Sequence, residues 1–128
     1  GVRDVDDQER ELLRESDVSV YTMSDIDARG APAVAAEALE RATDGTDALH
    51  VSLDLDWLDP TEAPGVGTPV RGGVSYREAH SAMEAVADHR DRLRSLELVE
   101  VNPILDDHNR TAELACELAA SAFGKRVL

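Results

Sequence analysis

The chain has 128 residues, a size at which one domain buries roughly two thirds of its unfolded surface. Its 27 acidic and 13 basic residues give a formal net charge of −14, which repels nucleic acid and anionic membranes, so we expect neither as a partner. The single cysteine, Cys116, excludes an internal disulfide and a cysteine-based metal cluster.

The ends and the apolar runs of the chain bear on its location. No run of about eighteen apolar residues could span a membrane, and no charged segment followed by an apolar one opens the chain. We therefore expect a soluble, cytoplasmic protein. The chain opens on Gly1 rather than Met, directly in a strand-like segment, which predicts that an N-terminal part is missing.

Strand and helix patterns alternate along the chain. They predict the tail of a strand at 1–3, a helix over 8–16, a strand over 18–21, a turn of helix from Ser24, a helix from Pro32 to Thr43, a strand over 48–55, a helix from the capping box at Ser75 to Arg90, a strand over 96–101 and a helix over 110–123. Parallel neighbours need such long connections. We expect an α/β fold, a three-layer sandwich with a mainly parallel sheet.

Acidic side chains stand at the carboxyl ends of three predicted strands. They are Asp4 and Asp6 after the first, Asp54 and Asp56 in the strongest, and Glu100 in the last. Ligands of open parallel sheets bind outside these ends, so the acids should share one anionic pocket. Like-charged carboxylates that lie together need protons, a metal ion or a cationic substrate to neutralise them.

Asp54 and Asp56 are the candidate metal ligands. Strand alternation would point both side chains to one side, with Cβ atoms roughly 7 Å apart, a spacing that suits oxygen ligands of divalent ions. The alternative is an ordinary pair of acids, since Asp-x-Asp is common. Glu100 likewise is either a surface acid or a carboxylate that grips a guanidinium through two hydrogen bonds. The residues alone favour a hydrolase site that handles cations.

Most of the remaining acids are expected on helices and loops, where they would form a surface suited to high salt because added ions screen self-repulsion. The glycine-rich segment 64–73 lacks the spacing of a phosphate-binding loop and is expected to be a tight loop beside the site. None of the histidines has the spacing of a ligand set. We expect surface or structural roles for His80, His89 and His108, and packing or hydrogen bonding for His50 at the far end of its strand.

Residues 52–60, Ser-Leu-Asp-Leu-Asp-Trp-Leu-Asp-Pro, and the Gly-Thr-Pro at 67–69 resemble the signature of the ureohydrolases. Segments 1–9, 20–30 and 99–103 are similar to arginases in the same order, and 123–128 resembles the C-terminus of bacterial-type arginases. Gln8 and Trp57 depart from the family, in which small residues are usual at these positions. The resemblance implies that 1–128 is the C-terminal part of a single arginase domain.

A member of this family would hydrolyse L-arginine to L-ornithine and urea at a centre of two Mn²⁺ ions. The resemblance implies that Asp54 bridges both ions and is catalytic, that Asp56 binds one ion, and that Glu100 holds the substrate guanidinium. Asp6, with Glu9 nearby, would contact the α-amino group of arginine, which favours arginase over agmatinase. Thr68 would line the site.

In the implied mechanism, the two ions lower the pKa of a bridging water, and the resulting hydroxide attacks the guanidinium carbon. The other metal ligands and the proton-shuttling histidine of the family would lie upstream of Gly1. The 128 residues alone are therefore expected to bind metal weakly and to be inactive, and the full-length protein to form a homotrimer or homohexamer. The alternatives are agmatinase or another ureohydrolase, or a non-catalytic module that retains the fold.

Overall fold

The computed structural model describes residues 1–126 and residue 128. The elements in chain order are α1 (Asp7–Glu15), α2 (Met23–Arg29), α3 (Ala31–Thr43), β1 (Leu49–Asp54), a 3₁₀ turn (Leu55–Trp57), α4 (Tyr76–Ala87), β2 (Leu93–Val99) and α5 (Arg110–Ala122). This order confirms the predicted alternation of helices and strands from β1 onward, whereas three helices follow one another before it and segment 1–3 forms only an isolated bridge at Val2. Val127, part of the chain end that resembles bacterial-type arginases, lies outside the described residues.

The two strands pair in parallel, as the α-helical connection between them predicts. Leu53 of β1 lies opposite Leu98 of β2, and Asp54 lies opposite Val99, so the two strands end at the same edge. On β1, Leu53 is buried whereas Ser52 is exposed. The alternation places one face of the strand in the core and leaves the other face polar.

Helices cover the apolar face of β1. The predicted apolar stripe of α4 is confirmed, because Ala79, Ala82, Met83 and Val86 are all buried at the three- and four-residue spacing of a helix. Ser75 begins this helix by accepting a hydrogen bond from the backbone of Glu78. Burying a side chain the size of methionine stabilises a fold by about 1.5–3 kcal/mol. This packing holds β1, and therefore its last residue Asp54, in place against the helices.

The predicted strand over 18–21 is wrong. Val18 is 65% exposed, and the pairing is limited to one parallel bridge between Val2 and Thr22. The amide of Val2 donates to Tyr21 O, and the amide of Met23 donates to Val2 O. The ladder stops there because Thr22 caps α2 and the backbone turns into that helix.

The segment between the 3₁₀ turn and α4 is closed by Asp59. Its carboxylate accepts hydrogen bonds from the amide of Thr61 at 3.0 Å, the hydroxyl of Thr61 at 2.7 Å and the amide of Gly72 at 2.8 Å. The amide of Asp59 donates to Val74 O. The Asp59-Pro60 turn signal therefore closes a loop whose two ends lie side by side.

Across residues 1–126 and 128, every helix is too short or too polar to cross a membrane.

Asp59 predicts a pH dependence of stability. The hydrogen bonds from the hydroxyl and amide of Thr61, and from the amide of Gly72, lower the pKa of Asp59 from 3.8 to about 2. A carboxylate with a lowered pKa in the folded state stabilises the fold above its unfolded pKa, and this contribution is lost as the pH falls through the folded value. Asp59→Asn should therefore lower the free energy of unfolding at pH 7. The deficit should shrink between about pH 4 and pH 2.

Urea unfolding at a series of pH values measures this deficit. Asp47→Asn, at an exposed position before β1, removes the same charge and serves as the control. A deficit for Asp59→Asn that stays constant across this pH range contradicts the assignment.

Candidate metal and substrate site

Asp54 and Asp56 meet in a turn rather than along a strand. Asp54 is the last residue of β1 and caps the 3₁₀ turn, because its Oδ1 accepts a hydrogen bond from the amide of Asp56 at 3.0 Å. The strand alternation predicted for this pair is therefore wrong. The chain turns at Leu55, whose fully buried side chain anchors the turn in the core.

The electrostatic environment of Asp54 opposes its negative charge. Burial raises the pKa of Asp54, the charges of Asp56 and Glu100 raise it further, and the hydrogen bond from the amide of Asp56 partly offsets them. Three of the predicted acids thus lie close enough to interact. Such a group binds cations because a positive charge removes both the repulsion and the cost of burial.

Thr68 joins the site through its hydroxyl, which donates to Oδ2 of Asp56 at 2.8 Å. The loop that carries Thr68 is held on its other side by the segment after β2. Val66 and Val101 form an antiparallel bridge, and the amide of Asn102 donates to Gly65 O at 2.7 Å. The expectation of a tight loop beside the site is confirmed.

This loop also contacts the start of α5. The amide of Gly65 donates to the hydroxyl of Thr111 at 2.8 Å, and a Cβ at position 65 would come within 2.5 Å of Asp106. Asp106 accepts the amides of Thr111 and Ala112. Burial works to raise the pKa of Asp106, but the hydrogen bonds from Thr111 and Ala112 keep it below its ordinary value. Asp106 caps α5 from outside its first turn, a role that the sequence analysis missed.

Glu100 follows β2 in a left-handed backbone conformation, with φ of 65°. The sequence analysis placed it inside a strand, which instead ends at Val99. Its carboxylate lies along the glycine-rich loop, because a Cβ at Gly67 would be 3.4 Å from Oε2 of Glu100. This conformation strains the backbone of a non-glycine residue, and such strained residues are concentrated at functional sites in proteins.

Asp6 and Glu9 form the N-terminal cap of α1. Oδ1 of Asp6 accepts the amide of Glu9 at 2.8 Å, and Oε2 of Glu9 accepts the amide of Asp6 at 3.0 Å. Both side chains are exposed. Within the described residues, these bonds tie the pair to its own helix and not to the acids at the end of β1.

A cavity of about 370 Å³ separates the N-terminal segment from the 3₁₀ turn. Its lining comprises Gly1, Val2, Arg3, Asp4, Asp56, Trp57, Thr68 and Val70. The side chain of Arg3, which the sequence analysis passed over, crosses this region and donates to Asp56 O at 2.7 Å. Asp4 and Asp56 therefore face one opening, as the strand-end argument predicts.

The histidines take no part in this site. His80 is buried and its Nδ1 lies 2.8 Å from Oγ of Ser121, while burial lowers its pKa. On the exposed face of β1, Nδ1 of His50 lies 2.7 Å from Oγ of Ser95. Structural roles are confirmed for both.

The residues present offer ligand atoms of the type that divalent metal ions prefer. Asp54 and Asp56 offer carboxylate oxygens, which are hard ligands, and the half-buried position of Asp54 beside two other acids raises its pKa. However, the described part of the chain brings together no group of three or more His, Cys, Asp or Glu side chains that could hold a metal. A complete coordination shell would need further ligands.

These observations define an α/β fold with a cluster of acidic side chains at the carboxyl edge of its parallel strands, the edge at which such folds bind ligands. Residues 1–124 match the model of the arginase family, and the chain belongs to that family. The predicted family and fold class are thereby confirmed.

The chain is 52% identical to an arginase of Brevibacillus brevis over all 128 residues, which cover 43% of that relative. It matches the solved structure of the arginase from Bacillus caldovelox with a TM-score of 0.94 and 47% identity, over 99% of this chain and 42% of the other. Proclavaminate amidino hydrolase from Streptomyces clavuligerus matches with a TM-score of 0.75 and 32% identity, over 88% and 36%. The chain thus spans about two fifths of the length of these relatives.

The conformation of Glu100 predicts a difference between two substitutions that both remove its carboxylate. A left-handed conformation costs a non-glycine residue about 1–2 kcal/mol, which glycine avoids. Glu100→Gly should therefore be more stable than Glu100→Ala by about 1 kcal/mol, since glycine loses part of its advantage to the entropy of the unfolded chain.

Urea unfolding of the two variants checks this order. The same pair of substitutions at Glu97, an exposed residue of β2, is the control, and there alanine should be the more stable. Alanine more stable than glycine at both positions would show that the backbone at Glu100 is unstrained.

Proposed function

We propose that this chain supplies half of the active site of a manganese-dependent arginase, which hydrolyses L-arginine to L-ornithine and urea. The observation that supports this most directly is the cluster of Asp54, Asp56 and Glu100, in which burial raises the pKa of Asp54 and the charges of the other two acids raise it further. A substrate with a guanidinium group and two divalent ions would neutralise such a cluster. Membership of the arginase family supports the same reaction.

Asp54 and Asp56 would hold Mn²⁺, together with ligands from polypeptide outside the 128 residues. Bound manganese would supply Lewis-acid activation of the attacking water. Asp56 is oriented for this role, because its amide donates to Asp54 while its Oδ2 accepts from Thr68. The turn therefore fixes the backbone of Asp56, and the Thr68 hydroxyl of the glycine-rich loop fixes its carboxylate.

Glu100 would bind the substrate guanidinium, since a carboxylate accepts two parallel N–H bonds from such a group. Its position beside Gly67 and its interaction with Asp54 support this role, because both place the carboxylate next to the metal ligands. The guanidinium carbon would thereby be held where activated water can reach it.

Asp6 and Glu9 would contact the α-amino group of arginine. Both are exposed at the start of α1, and the cap that they form fixes their carboxylates. Agmatine keeps this amino group and lacks only the carboxylate of arginine, so Asp6 alone does not separate the two substrates. Comparing the turnover of arginine with that of agmatine therefore distinguishes an arginase from an agmatinase or another ureohydrolase.

We further propose a cytoplasmic enzyme that assembles as a homotrimer or homohexamer. The excess of 27 acidic over 13 basic residues would suit a surface exposed to high salt. The half-buried position of Asp54 beside two other acids favours a ligand-binding role over the non-catalytic alternative.

Replacing Asp54 tests the metal assignment. In a polypeptide of the relatives' full length that contains this chain, Asp54→Ala should remove at least one of two bound Mn²⁺ ions and lower kcat for arginine by at least about 100-fold, as expected when a directly coordinating carboxylate is lost. Elemental analysis and urea release measure the two effects, with Asp47→Ala as the control at an exposed position.

Normal manganese content and turnover in Asp54→Ala would refute the assignment.

The parent should also hydrolyse arginine with kcat/KM at least about tenfold above that for agmatine, since a site that pairs the carboxylate of arginine rejects an analogue without it. The reverse preference would instead identify an agmatinase.

The isolated 128 residues should be inactive. Asp54 and Asp56 provide fewer ligands than a divalent ion requires, so manganese should bind weakly and no urea should form from arginine at millimolar Mn²⁺. Urea release by the purified chain, compared with the same assay on the full-length polypeptide, measures this. Turnover by the isolated chain above that of Mn²⁺ alone contradicts the half-site argument.

A further inference from the structure

Arg3 binds the two segments that carry Asp56 and Thr68. Its Nη2 donates to Asp56 O at 2.7 Å and to Val70 O at 2.6 Å, and its Nε donates to Val70 O at 3.1 Å. Asp56 lies in the 3₁₀ turn after β1, whereas Val70 follows Thr68 in the glycine-rich loop. One guanidinium therefore bridges two segments that are separated by more than ten residues along the chain.

The same side chain contacts the end of the 3₁₀ turn. Nη1 donates to Trp57 O at 3.3 Å, and Nη2 lies 3.4 Å from Leu58 O. The last carbonyls of a helical turn lack partners within the turn and carry partial negative charge, which a cation stabilises. Within the part of the chain that the structure describes, all hydrogen bonds of Arg3 go to backbone carbonyls.

Asp56 is held at three points as a result. Its amide donates to Asp54, its carbonyl accepts from Arg3, and its carboxylate accepts from Thr68. Two of these contacts come from the turn and the loop themselves. The contact with Arg3 adds a second link between the turn and the loop, made to their backbone carbonyls, beside the side-chain link from Thr68 to Asp56.

Only arginine has the donors for this arrangement. Its planar fork presents five N–H groups in fixed directions, whereas the ammonium of lysine is a compact point charge with three donors. A lysine at position 3 could keep the positive charge beside the carbonyls. Its one nitrogen, with three donors, could not make all five hydrogen bonds that the three nitrogens of Arg3 make.

We propose that Arg3 is a positioning residue for the metal site, which sets Asp56 relative to Asp54 by joining the 3₁₀ turn to the Thr68 loop. This inference rests on the proposed function only in that Asp54 and Asp56 are taken as metal ligands. Residues that orient ligands in this way change metal affinity by about 10–100-fold when they are replaced.

The test uses the full-length polypeptide with Arg3→Met and Arg3→Lys, and Arg77→Lys as the matched control. Arg77 is an exposed arginine that pairs with Glu84 of its own helix. Free Mn²⁺, measured by electron paramagnetic resonance, gives the dissociation constants of both ions. Urea release gives kcat and KM for arginine, and thermal unfolding in EDTA reports the fold.

Arg3→Met should weaken the binding of at least one Mn²⁺ ion by about tenfold or more. It should lower kcat by about tenfold to 100-fold with KM within twofold, because a misplaced metal ligand slows the chemistry more than substrate binding. Arg3→Lys should retain the parent's unfolding midpoint within a few degrees and still bind Mn²⁺ more weakly, so it carries the test if Arg3→Met does not fold.

Two results separate the inference from the function on which it rests. If both variants bind Mn²⁺ as the parent does and only the unfolding midpoint falls, Arg3 is purely structural and the proposal is overturned. If the parent binds Mn²⁺ but releases no urea from arginine, the proposed function fails, while weaker Mn²⁺ binding by Arg3→Lys still supports the positioning role.

Discussion

The half-buried position of Asp54 beside two other acids, Asp56 and Glu100, is the constraint on which the site in this structure depends. Burial and two neighbouring negative charges raise the pKa of Asp54, so the folded chain holds these carboxylates together against an electrostatic cost. Hydrophobic packing offsets this electrostatic cost. β1 places Leu53 in the core immediately before Asp54, and the fully buried Leu55 follows it. Asp54 and the turn after it cannot shift without pulling these two leucines out of the core, whereas the side chain of Glu100 is exposed.

Three local devices then fix the directions of the carboxylates. The 3₁₀ turn points the amide of Asp56 at Asp54, the hydroxyl of Thr68 binds Asp56, and the left-handed backbone of Glu100 directs its carboxylate towards the glycine-rich loop. Each device fixes one acid, and Arg3 connects the turn to the loop. The site is therefore rigid on the side that this chain supplies, although its metal shell needs further ligands.

Whether a feature could be predicted from the sequence depends largely on how far apart in the chain the interacting residues lie. The cap at Ser75 and the buried stripe of α4 depend on residues three or four positions apart, and both are confirmed. The acids at the strand ends were identified because burial of β1 can be recognised locally. The 3₁₀ turn was missed because Leu-Asp-Trp continues the alternation of the strand before it. The role of Arg3 depends on carbonyls more than 50 residues away, which no local pattern encodes.

The features that sequence analysis missed also share an energetic property. The left-handed backbone of Glu100 and the burial of Asp54 both destabilise the folded chain. A glycine at position 100 or an uncharged residue at position 54 would remove the corresponding energetic cost. Fold stability therefore does not explain them, and they are consistent with the cation binding that we propose for this site. A ligand that binds only the folded state adds RT ln(1 + [L]/Kd) to its stability, about 2.7 kcal/mol at a concentration 100 times Kd. A cation bound among these acids would thus offset this cost, which links the stability of this region to ligand binding at the site.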